Sequence, residues 1–84
     1  MTSNDVFARV RKVLKDHGRL SDDPNGIALD ADLYQSGMTS HASVNVMLAL
    51  EEEFEVEFPD RMLTRNVFNS IASICDALSE LIPT

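Results

Sequence analysis

A serine and a histidine stand side by side at the point where a helical pattern begins. Ser40 offers a hydroxyl and His41 offers a base, which are two of the three side chains of a hydrolytic triad. A working triad also needs a third group that orients the base and donors that stabilise the oxyanion, and no pattern in the chain supplies them. We therefore expect no hydrolase activity from this pair.

The position of Ser40 suggests two other roles for its hydroxyl. A helix N-terminus presents unpaired N–H groups and the positive end of the helix dipole, which favour an exposed anion by about 0.3–1 kcal/mol. Ser40 could therefore carry an attached anionic group, or it could simply cap the helix, a role that is equally open to Thr39. Ser36 and Ser43 compete on residue type alone, because the first precedes Gly37 in a loop and the second falls toward the predicted core face.

The other reactive side chains lack the spacing of a known site. Four aspartates could attract a cation, but their spacing differs from that of an EF-hand loop and favours solvated loop charge. They are Asp22, Asp23, Asp30 and Asp32. The single cysteine, Cys75, excludes an intramolecular disulfide and a cysteine-based zinc site. It lies at the edge of an apolar helical stripe, which indicates a packing role, and it suits a reducing cytoplasm.

Helical periodicity predicts the elements that position Ser40. A first helix is expected at about residues 4–17, with Gly18 ending it. The segment 18–39 is rich in Asp, Pro, Gly and Ser, which predicts a long loop. Five apolar residues are placed to pin that loop to the core, and these are Leu20, Ile27, Leu29, Leu33 and Tyr34.

A second helix is expected over about residues 40–54. Its predicted core face consists of Val44, Met47, Leu50 and Phe54. The segment 55–59 forms a connector, because Pro59 cannot lie within a helix, and Val56 and Phe58 are expected to point inward.

Two more helices complete the pattern. A short helix is expected at about residues 61–67, and the last helix begins near Asn69 or Ser70 and ends before Pro83. The apolar stripe of the last helix is Ile71, Ile74, Leu78 and Leu81. No strand-like alternation is present, so the fold class is predicted to be all-α, a four-helix bundle with a long first loop and one short helix. Residues 1–84 are expected to form a single domain, whose small core leaves little room for an enclosed active site, and the chain is therefore not expected to be an enzyme.

The charge of the chain limits the partners that it can bind. Fourteen acidic and seven basic side chains give a formal net charge of -7, which repels nucleic acid and anionic membranes and attracts partners with basic surfaces. No apolar run approaches the roughly 18 residues of a membrane span, and the N-terminus has no signal-peptide core. We expect a cytoplasmic monomer that does not insert into a membrane.

About a third of the chain resembles acyl carrier proteins, without a gap. The matching segment runs from Asp32 to Asp60 and reads DLYQSGMTSHASVNVMLALEEEFEVEFPD. In that family a Gly, a hydrophobic residue and an Asp precede the modified Ser, a Leu follows it, and the helix runs into a Glu-rich turn, a Phe and later a Pro. The equivalent residues here are Gly37, Met38, Thr39, Ser40 and His41, then Glu51, Glu52, Glu53, Phe54 and Pro59.

The resemblance implies a 4'-phosphopantetheine arm, transferred from coenzyme A and attached covalently to Ser40. The residues that would surround the attachment point are Gly37, Met38, Thr39 and His41. The terminal thiol of the arm would bear an acyl or aminoacyl group as a thioester. The implied partners are a phosphopantetheinyl transferase, a loading ligase and downstream acyl-processing enzymes, and the carrier itself performs no chemistry.

The chain departs from the family pattern at the start of the second helix. Thr39 and His41 replace the usual Asp and Leu, and Ala42 and Asn45 stand where acidic residues are common. These positions commonly contact partner enzymes in the family, so the departures imply partners different from those of a fatty-acid carrier. The motif TSHAS and the segment FPDRML resemble small stand-alone carriers loaded by amino acid:carrier-protein ligases.

The outward stripe of the second helix is the expected partner-binding surface. His41, Asn45, Leu48 and Glu52 share this stripe by helical spacing, and Leu48 is an apolar residue in polar company that could anchor a docking enzyme. Glu51 and Glu52 resemble the acidic patch that carriers of this family show to basic partners. The alternative hypothesis is an unmodified, acidic helical interaction module that has the carrier fold and uses this face for binding.

Overall fold

The computed structural model describes residues 3–21 and 23–82, apart from the side chains of residues 3, 4 and 24. The helices are α1 (Ser3–His17), α2 (Ser40–Phe54), α3 (Arg65–Phe68) and α4 (Ile71–Leu81), and short 3-10 turns lie at Pro24–Gly26 and Asp60–Met62. No strand occurs among the described residues. The predicted all-α class, with four helices of which one is short, is confirmed.

The first helix ends where the sequence predicts, because a side chain does not fit directly after it. The N–H of Gly18 donates to the carbonyl oxygen of Leu14 at 2.8 Å. A Cβ atom on Gly18 would lie 2.8 Å from that same oxygen, closer than real Cβ atoms approach. The left-handed φ of 53° falls on the next residue, Arg19, so Gly18 is needed here for space.

The apolar core lies between α1, α2 and α4. The largest fully buried side chains are Leu14, Leu33, Leu50, Ile71, Ile74, Leu78, Val10 and Val46. Full burial of such a side chain is favourable by about 1.5–3 kcal/mol of transfer free energy. No buried side-chain nitrogen or oxygen lacks a hydrogen bond in the part of the chain that the structure describes. The core therefore holds the bundle together without an unpaired polar group.

The last helix matches its predicted start and stripe. Ser70 is the N-cap, and its Oγ accepts a hydrogen bond from the N–H of Ser73 at 3.1 Å. Along the predicted stripe, Ile71, Ile74 and Leu78 are buried and Leu81 is partly buried. Pro83, which the sequence places beyond the end of this helix, lies outside the described residues.

Backbone hydrogen bonds tie the long loop to the start of α4. The N–H of Leu33 donates to the carbonyl oxygen of Asn69 at 2.7 Å. The N–H of Ala72 donates to the carbonyl oxygen of Leu29 at 2.9 Å. These bonds hold the end of the loop that leads into α2.

The side chains that pin the loop differ in one place from those expected. Ile27 and Leu33 are buried, and Leu20 and Tyr34 pack partly buried against the core, as predicted. The side chain of Leu29 is 37% exposed, so its predicted role in pinning is wrong. Leu29 is held through its carbonyl group, which fixes the backbone and leaves the side chain free to face outward.

The core face of α2 also differs from the prediction. Its buried residues are Ala42, Val46, Leu50 and Phe54. Leu50 and Phe54 confirm the prediction, but Val44 is 51% exposed and Met47 is only partly buried. Most positions from Ala42 to Leu50 are apolar, so periodicity alone does not define which of them face inward. The row at four-residue spacing is selected by packing against α1 and the rest of the core.

The expected short helix over 61–67 is split into two pieces. The 3-10 turn Asp60–Met62 is followed by an extended Thr64, with φ -126° and ψ 158°, before α3 begins at Arg65. The connector before it is as predicted, with Phe58 buried and Val56 partly buried. The ring of Phe58 packs edge-on against Phe68, with centroids 5.4 Å apart. This ring pair packs the end of α3 against the connector, a contact between elements that local periodicity does not encode.

Candidate functional site

Ser40 is the first residue of α2, and it is exposed. Thr39 is the N-cap of the helix, and its Oγ1 accepts a hydrogen bond from the N–H of Ala42 at 3.0 Å. The sequence left the capping role open between Thr39 and Ser40, and the structure assigns it to Thr39. No described residue hydrogen-bonds to the hydroxyl of Ser40. Ser40 therefore presents an unengaged hydroxyl at a helix start.

Unpaired backbone donors lie at the same helix start. The N–H groups of Ser40 and His41 belong to the first turn and have no acceptor among the described residues. Unpaired first-turn N–H groups and the positive end of the helix dipole favour an anion at this place. An anionic group attached to Ser40 Oγ would be stabilised there.

The two competing serines are engaged in the local structure. Ser36 Oγ donates to the carbonyl oxygen of Asp32 at 3.3 Å. Ser43 Oγ donates to the carbonyl oxygen of Ser40 at 2.7 Å, and Ser43 is half-buried. Both hydroxyls stabilise their own turns, whereas the hydroxyl of Ser40 does not.

The two residues before Thr39 shape the entry to α2 without exposing reactive groups. Gly37 has a φ of 114°, and a Cβ atom there would lie 2.8 Å from Oγ of Ser21. Met38 is 2% exposed and packs in the core. Gly37 thus lets two stretches of the loop cross closely, and Met38 anchors the segment that presents Thr39 and Ser40.

The described residues assemble neither a hydrolytic site around Ser40 and His41 nor a cation site in the long loop. His41 is exposed, and no hydrogen bond joins it to Ser40. Among the loop aspartates, Asp22 lies outside the described residues. The carboxylates of Asp23 and Asp32 accept backbone N–H groups of their own turns, at 3.0 Å from Asn25 and 2.9 Å from Tyr34. No cluster of three metal-ligating side chains is found in the described part of the chain.

A groove of about 290 Å³ opens beside Ser40, between α2 and α3. Its walls include Val44 and Met47 from α2, and Leu63, Arg65 and Phe68 from the α3 side. Val44 and Leu63 are among the exposed large hydrophobic residues of the described chain. The outward position of Val44, which the sequence did not predict, therefore forms one wall of the groove next to Ser40.

The predicted partner-binding stripe lies on the other side of α2. Asn45, Leu48 and Glu52 line a shallow groove shared with α1, and Leu48 is 53% exposed. His41 is exposed at the start of the same stripe. The stripe is thus at the surface and available to another protein.

The acidic turn at the end of α2 is partly used within the molecule. The carboxylate of Glu51 accepts the N–H of Phe58 at 2.8 Å, and that of Glu53 pairs with Arg9 Nε at 2.7 Å. Glu52 is exposed and has no such partner among the described residues. Of these three carboxylates, Glu52 is the one most available to a basic partner.

Comparison with protein families matches the chain to a known group. The family described as "phosphopantetheine attachment site" matches residues 6–78. The chain belongs to this phosphopantetheine-binding family. Membership implies 4'-phosphopantetheine as the prosthetic group and a carrier function, which in this family is normally non-catalytic.

Proteins with similar sequences are also carrier proteins. The chain is 45% identical over 71 residues to the aminoacyl carrier protein of Agrobacterium fabrum, covering 84% of this chain and 86% of that protein. It is 38% identical over 58 residues to the acyl carrier protein of Phenylobacterium zucineum, covering 68% and 71% of the two chains.

A solved structure of a carrier protein has the same fold as this chain. The chain superposes, with a TM-score of 0.86 and 43% identity, on a chain of the crystal structure of an engineered glycine:[carrier protein] ligase from Bradyrhizobium japonicum, complexed with a carrier protein from Agrobacterium tumefaciens and ATP. The match covers 89% of this chain and 97% of that chain, so the matched chain is the carrier and not the ligase. The predicted acyl-carrier fold is confirmed. No helix in the described part of this chain is long and apolar enough to span a membrane.

Proposed function

We propose that Ser40 is the attachment point of the phosphopantetheine arm and that the chain carries an aminoacyl group on it. The main support for the proposal is that the two hydroxyl residues at the start of α2 have different roles. Thr39 caps the helix through its Oγ1 and leaves the adjacent hydroxyl of Ser40 exposed and without a partner in the described chain. The free first-turn N–H groups suit a phosphodiester, which is a permanent anion.

Attachment requires a second protein. A phosphopantetheinyl transferase would join Ser40 Oγ to the phosphorus that bears the pantetheine in coenzyme A. The bond from that phosphorus to the adenosine bisphosphate breaks, the bisphosphate leaves with the bonding electrons, and the proton of Ser40 passes to a base of the transferase. This chain contributes an accessible oxygen, because no base lies in hydrogen-bonding contact with Ser40 in its described part. When attached, the arm supplies the thiol that holds the cargo as a thioester.

An aminoacyl cargo has more support than a fatty acyl cargo. The protein with 45% identity is named an aminoacyl carrier protein, and the similar structure contains a glycine:[carrier protein] ligase. The departures Thr39, His41, Ala42 and Asn45 from the usual carrier pattern fit a different loading enzyme. An unmodified interaction module is not favoured, because the chain matches a phosphopantetheine attachment family over residues 6–78.

The exposed stripe of α2 is the proposed contact for the transferase, the loading ligase and downstream enzymes. His41, Asn45, Leu48 and Glu52 offer an apolar centre with polar neighbours, which is the usual composition of a docking surface. Glu51 adds negative charge nearby while its carboxylate also holds the connector. The net charge of -7 attracts basic partner surfaces.

The half-buried thiol of Cys75 suits a reducing cytoplasm, where we expect the carrier to work.

The attachment is tested by intact-mass measurement after incubation with coenzyme A and a broad-specificity phosphopantetheinyl transferase. We expect the wild type, Ser36→Ala and Ser43→Ala to gain the mass of one phosphopantetheine and Ser40→Ala to gain none. A gain in Ser40→Ala, or none in the wild type, would refute the proposal.

The cargo is tested on the modified protein. It is incubated with ATP and a glycine:[carrier protein] ligase plus glycine, and in parallel with a fatty-acid-loading enzyme plus fatty acid. We expect a glycyl mass gain that neutral hydroxylamine removes, because hydroxylamine cleaves thioesters. Loading with fatty acid alone would overturn the aminoacyl assignment and leave the carrier assignment intact.

A further inference from the structure

The groove beside Ser40 contains a cation that the proposed function does not yet use. Arg65 is the first residue of α3, and its Cζ lies 3.9 Å from the centroid of the Tyr34 ring. Arg65, Tyr34 and Ser40 line the same groove between α2 and α3. No carboxylate forms an ion pair with Arg65 among the described residues.

The stacking on Tyr34 prepares the guanidinium to bind an anion. A cation over an aromatic ring at an exposed site is stabilised by about 0.5–1 kcal/mol, which favours one orientation of the side chain. The guanidinium carbon lies over the ring, and the N–H donors of Arg65 have no hydrogen-bond acceptor among the described residues. The N–H edge of a guanidinium matches two oxygens of a phosphate group, a geometry in which arginine binds more specifically than lysine.

The charge of the groove differs from that of the rest of the protein. The chain has fourteen acidic side chains and a net charge of -7, so a phosphodiester on its surface adds to an existing negative field. The residues that line this groove nevertheless include one arginine and no carboxylate. An anion on Ser40 Oγ would therefore share this groove with a cation and no carboxylate. The groove on the α1 side, by contrast, is lined by three carboxylates, those of Asp16, Glu52 and Glu53, together with Lys12 and His17.

We propose that Arg65 is a positioning residue for the prosthetic group: its guanidinium, held on Tyr34, pairs with the phosphodiester on Ser40 and directs the arm along the groove between α2 and α3. The apolar side chains of Val44, Met47 and Leu63 then line the path of the arm. The opposite stripe of α2, with Leu48, stays free for a docking enzyme. This inference rests on the proposed attachment at Ser40.

The test compares apo and modified protein by ¹H–¹⁵N NMR in four forms: wild type, Arg65→Gln, Arg65→Lys and the control Arg61→Gln. Arg65→Gln keeps most of the side-chain length and removes the charge. Arg61 is also exposed but does not line the groove. Attachment in the wild type should shift the amide signals of Tyr34, Leu63 and Phe68 as well as those of the first turn of α2.

The variants should distinguish the effect of the Arg65 charge on the amide shifts from the effect of its side-chain packing. Arg65→Gln should reduce the shifts at Tyr34, Leu63 and Phe68 by at least half while leaving those of the first turn in place. Arg65→Lys should be intermediate, and Arg61→Gln should match the wild type. Raising the salt concentration to about 1 M should reduce the groove shifts in the wild type, because the Debye length falls to about 3 Å.

Two results would overturn the inference. One is a wild-type spectrum in which attachment shifts only the first turn of α2, and the other is an Arg65→Gln spectrum with undiminished groove shifts. Intact mass is measured on the same samples, so failure of attachment itself is recognised separately. If Arg65→Gln does not fold, the Tyr34→Leu variant is tested instead, because it removes the ring under Arg65 and keeps Arg65 itself. Attachment must then give reduced shifts at Leu63 and Phe68.

Discussion

The N–H of Ala42 donates a hydrogen bond to Oγ1 of Thr39 at 3.0 Å, so the N-cap of α2 is the residue just before Ser40. Of the two adjacent hydroxyl groups, that of Thr39 caps the helix and that of Ser40 remains exposed. This relationship predicts that substitutions at the two positions affect different properties of the protein.

Thr39→Ala should lower the free energy of unfolding by about 1 kcal/mol, because it removes the cap of α2. Thr39→Ser should retain most of the stability, and Ser40→Ala should change it by less than about 0.5 kcal/mol, as for an exposed position without partners. Urea denaturation followed by circular dichroism measures all three. A loss in Ser40→Ala as large as that in Thr39→Ala would show that Ser40 shares the capping role. The modification of Ser40 should persist in Thr39→Ser.

Gly37→Ala should destabilise the protein by about 1–3 kcal/mol, because its φ of 114° is strained for a residue with a Cβ atom. That Cβ would also meet Ser21, with Oγ at 2.8 Å and the backbone nitrogen at 3.1 Å. Gly26→Ala is the matched control, since a Cβ there has no atom within 4 Å. Thermal denaturation should show a clear decrease in Tm for Gly37→Ala and little change for Gly26→Ala. Equal Tm values for the two variants would contradict the strain at Gly37.

Leu48→Ala should impair loading by the ligase while leaving the fold intact. Loss of an apolar anchor at a docking surface costs more than about 1 kcal/mol, so kcat/KM for loading should fall at least about fivefold. Leu29→Ala, which truncates an exposed leucine in the loop, is the control and should load normally. Loading is measured by intact mass over time on the modified proteins. Normal loading of Leu48→Ala would remove Leu48 from the proposed docking surface.

Two leucines of α2, Leu48 and Leu50, should differ in how much each contributes to the free energy of unfolding. Leu50 is fully buried two residues after Leu48, which is 53% exposed. Leu50→Ala should therefore lower the free energy of unfolding by about 2–5 kcal/mol, whereas Leu48→Ala should lower it by less than about 1 kcal/mol. Similar losses in the two variants would mean that the inward face of α2 is wrongly assigned.

Cys75 should react slowly with alkylating reagents in the folded protein. Burial, reinforced by the negative charge of Asp76 and opposed by Arg11, raises the pKa of this thiol from 9.0 to about 11. At pH 8 the thiolate fraction is then roughly 100-fold lower than at the ordinary pKa, and the thiolate is the reactive form. Time courses with iodoacetamide, followed by mass, should show slow alkylation of the folded apo protein and fast alkylation in urea. Equal rates would contradict the raised pKa.

The same shift gives a pH dependence of stability. Between about pH 9 and pH 11 the unfolded chain loses the Cys75 proton while the folded chain keeps it. The unfolded state then binds fewer protons, so the contribution of this thiol to stability is complete below pH 9 and decreases as the pH rises toward 11. A Cys75→Ser variant should lack this part of the alkaline loss of stability in urea titrations at pH 8 and pH 10.

Local patterns in the amino-acid sequence were enough to predict the class of the fold and the approximate extent of α1, α2 and α4, and they singled out Ser40 as the residue to test. These predictions depend on local signals, because a helical repeat, a stop at Gly18, a cap at Asn69 or Ser70 and a motif around Ser40 are encoded by residues close together in the chain. The resemblance of the segment from Asp32 to Asp60 added the family, which the comparisons confirmed.

The arrangement of the surfaces around Ser40 depends on packing between elements that are distant in the chain. The sequence could not choose between Thr39 and Ser40 as the cap, because both serine and threonine are common N-cap residues and the two are adjacent. It could not orient α2 so that Val44 faces outward, because the helix is apolar on several sides. The stacking of Arg65 on Tyr34 joins residues far apart in the chain, and such contacts depend on how the loop and α3 pack together and not on local periodicity.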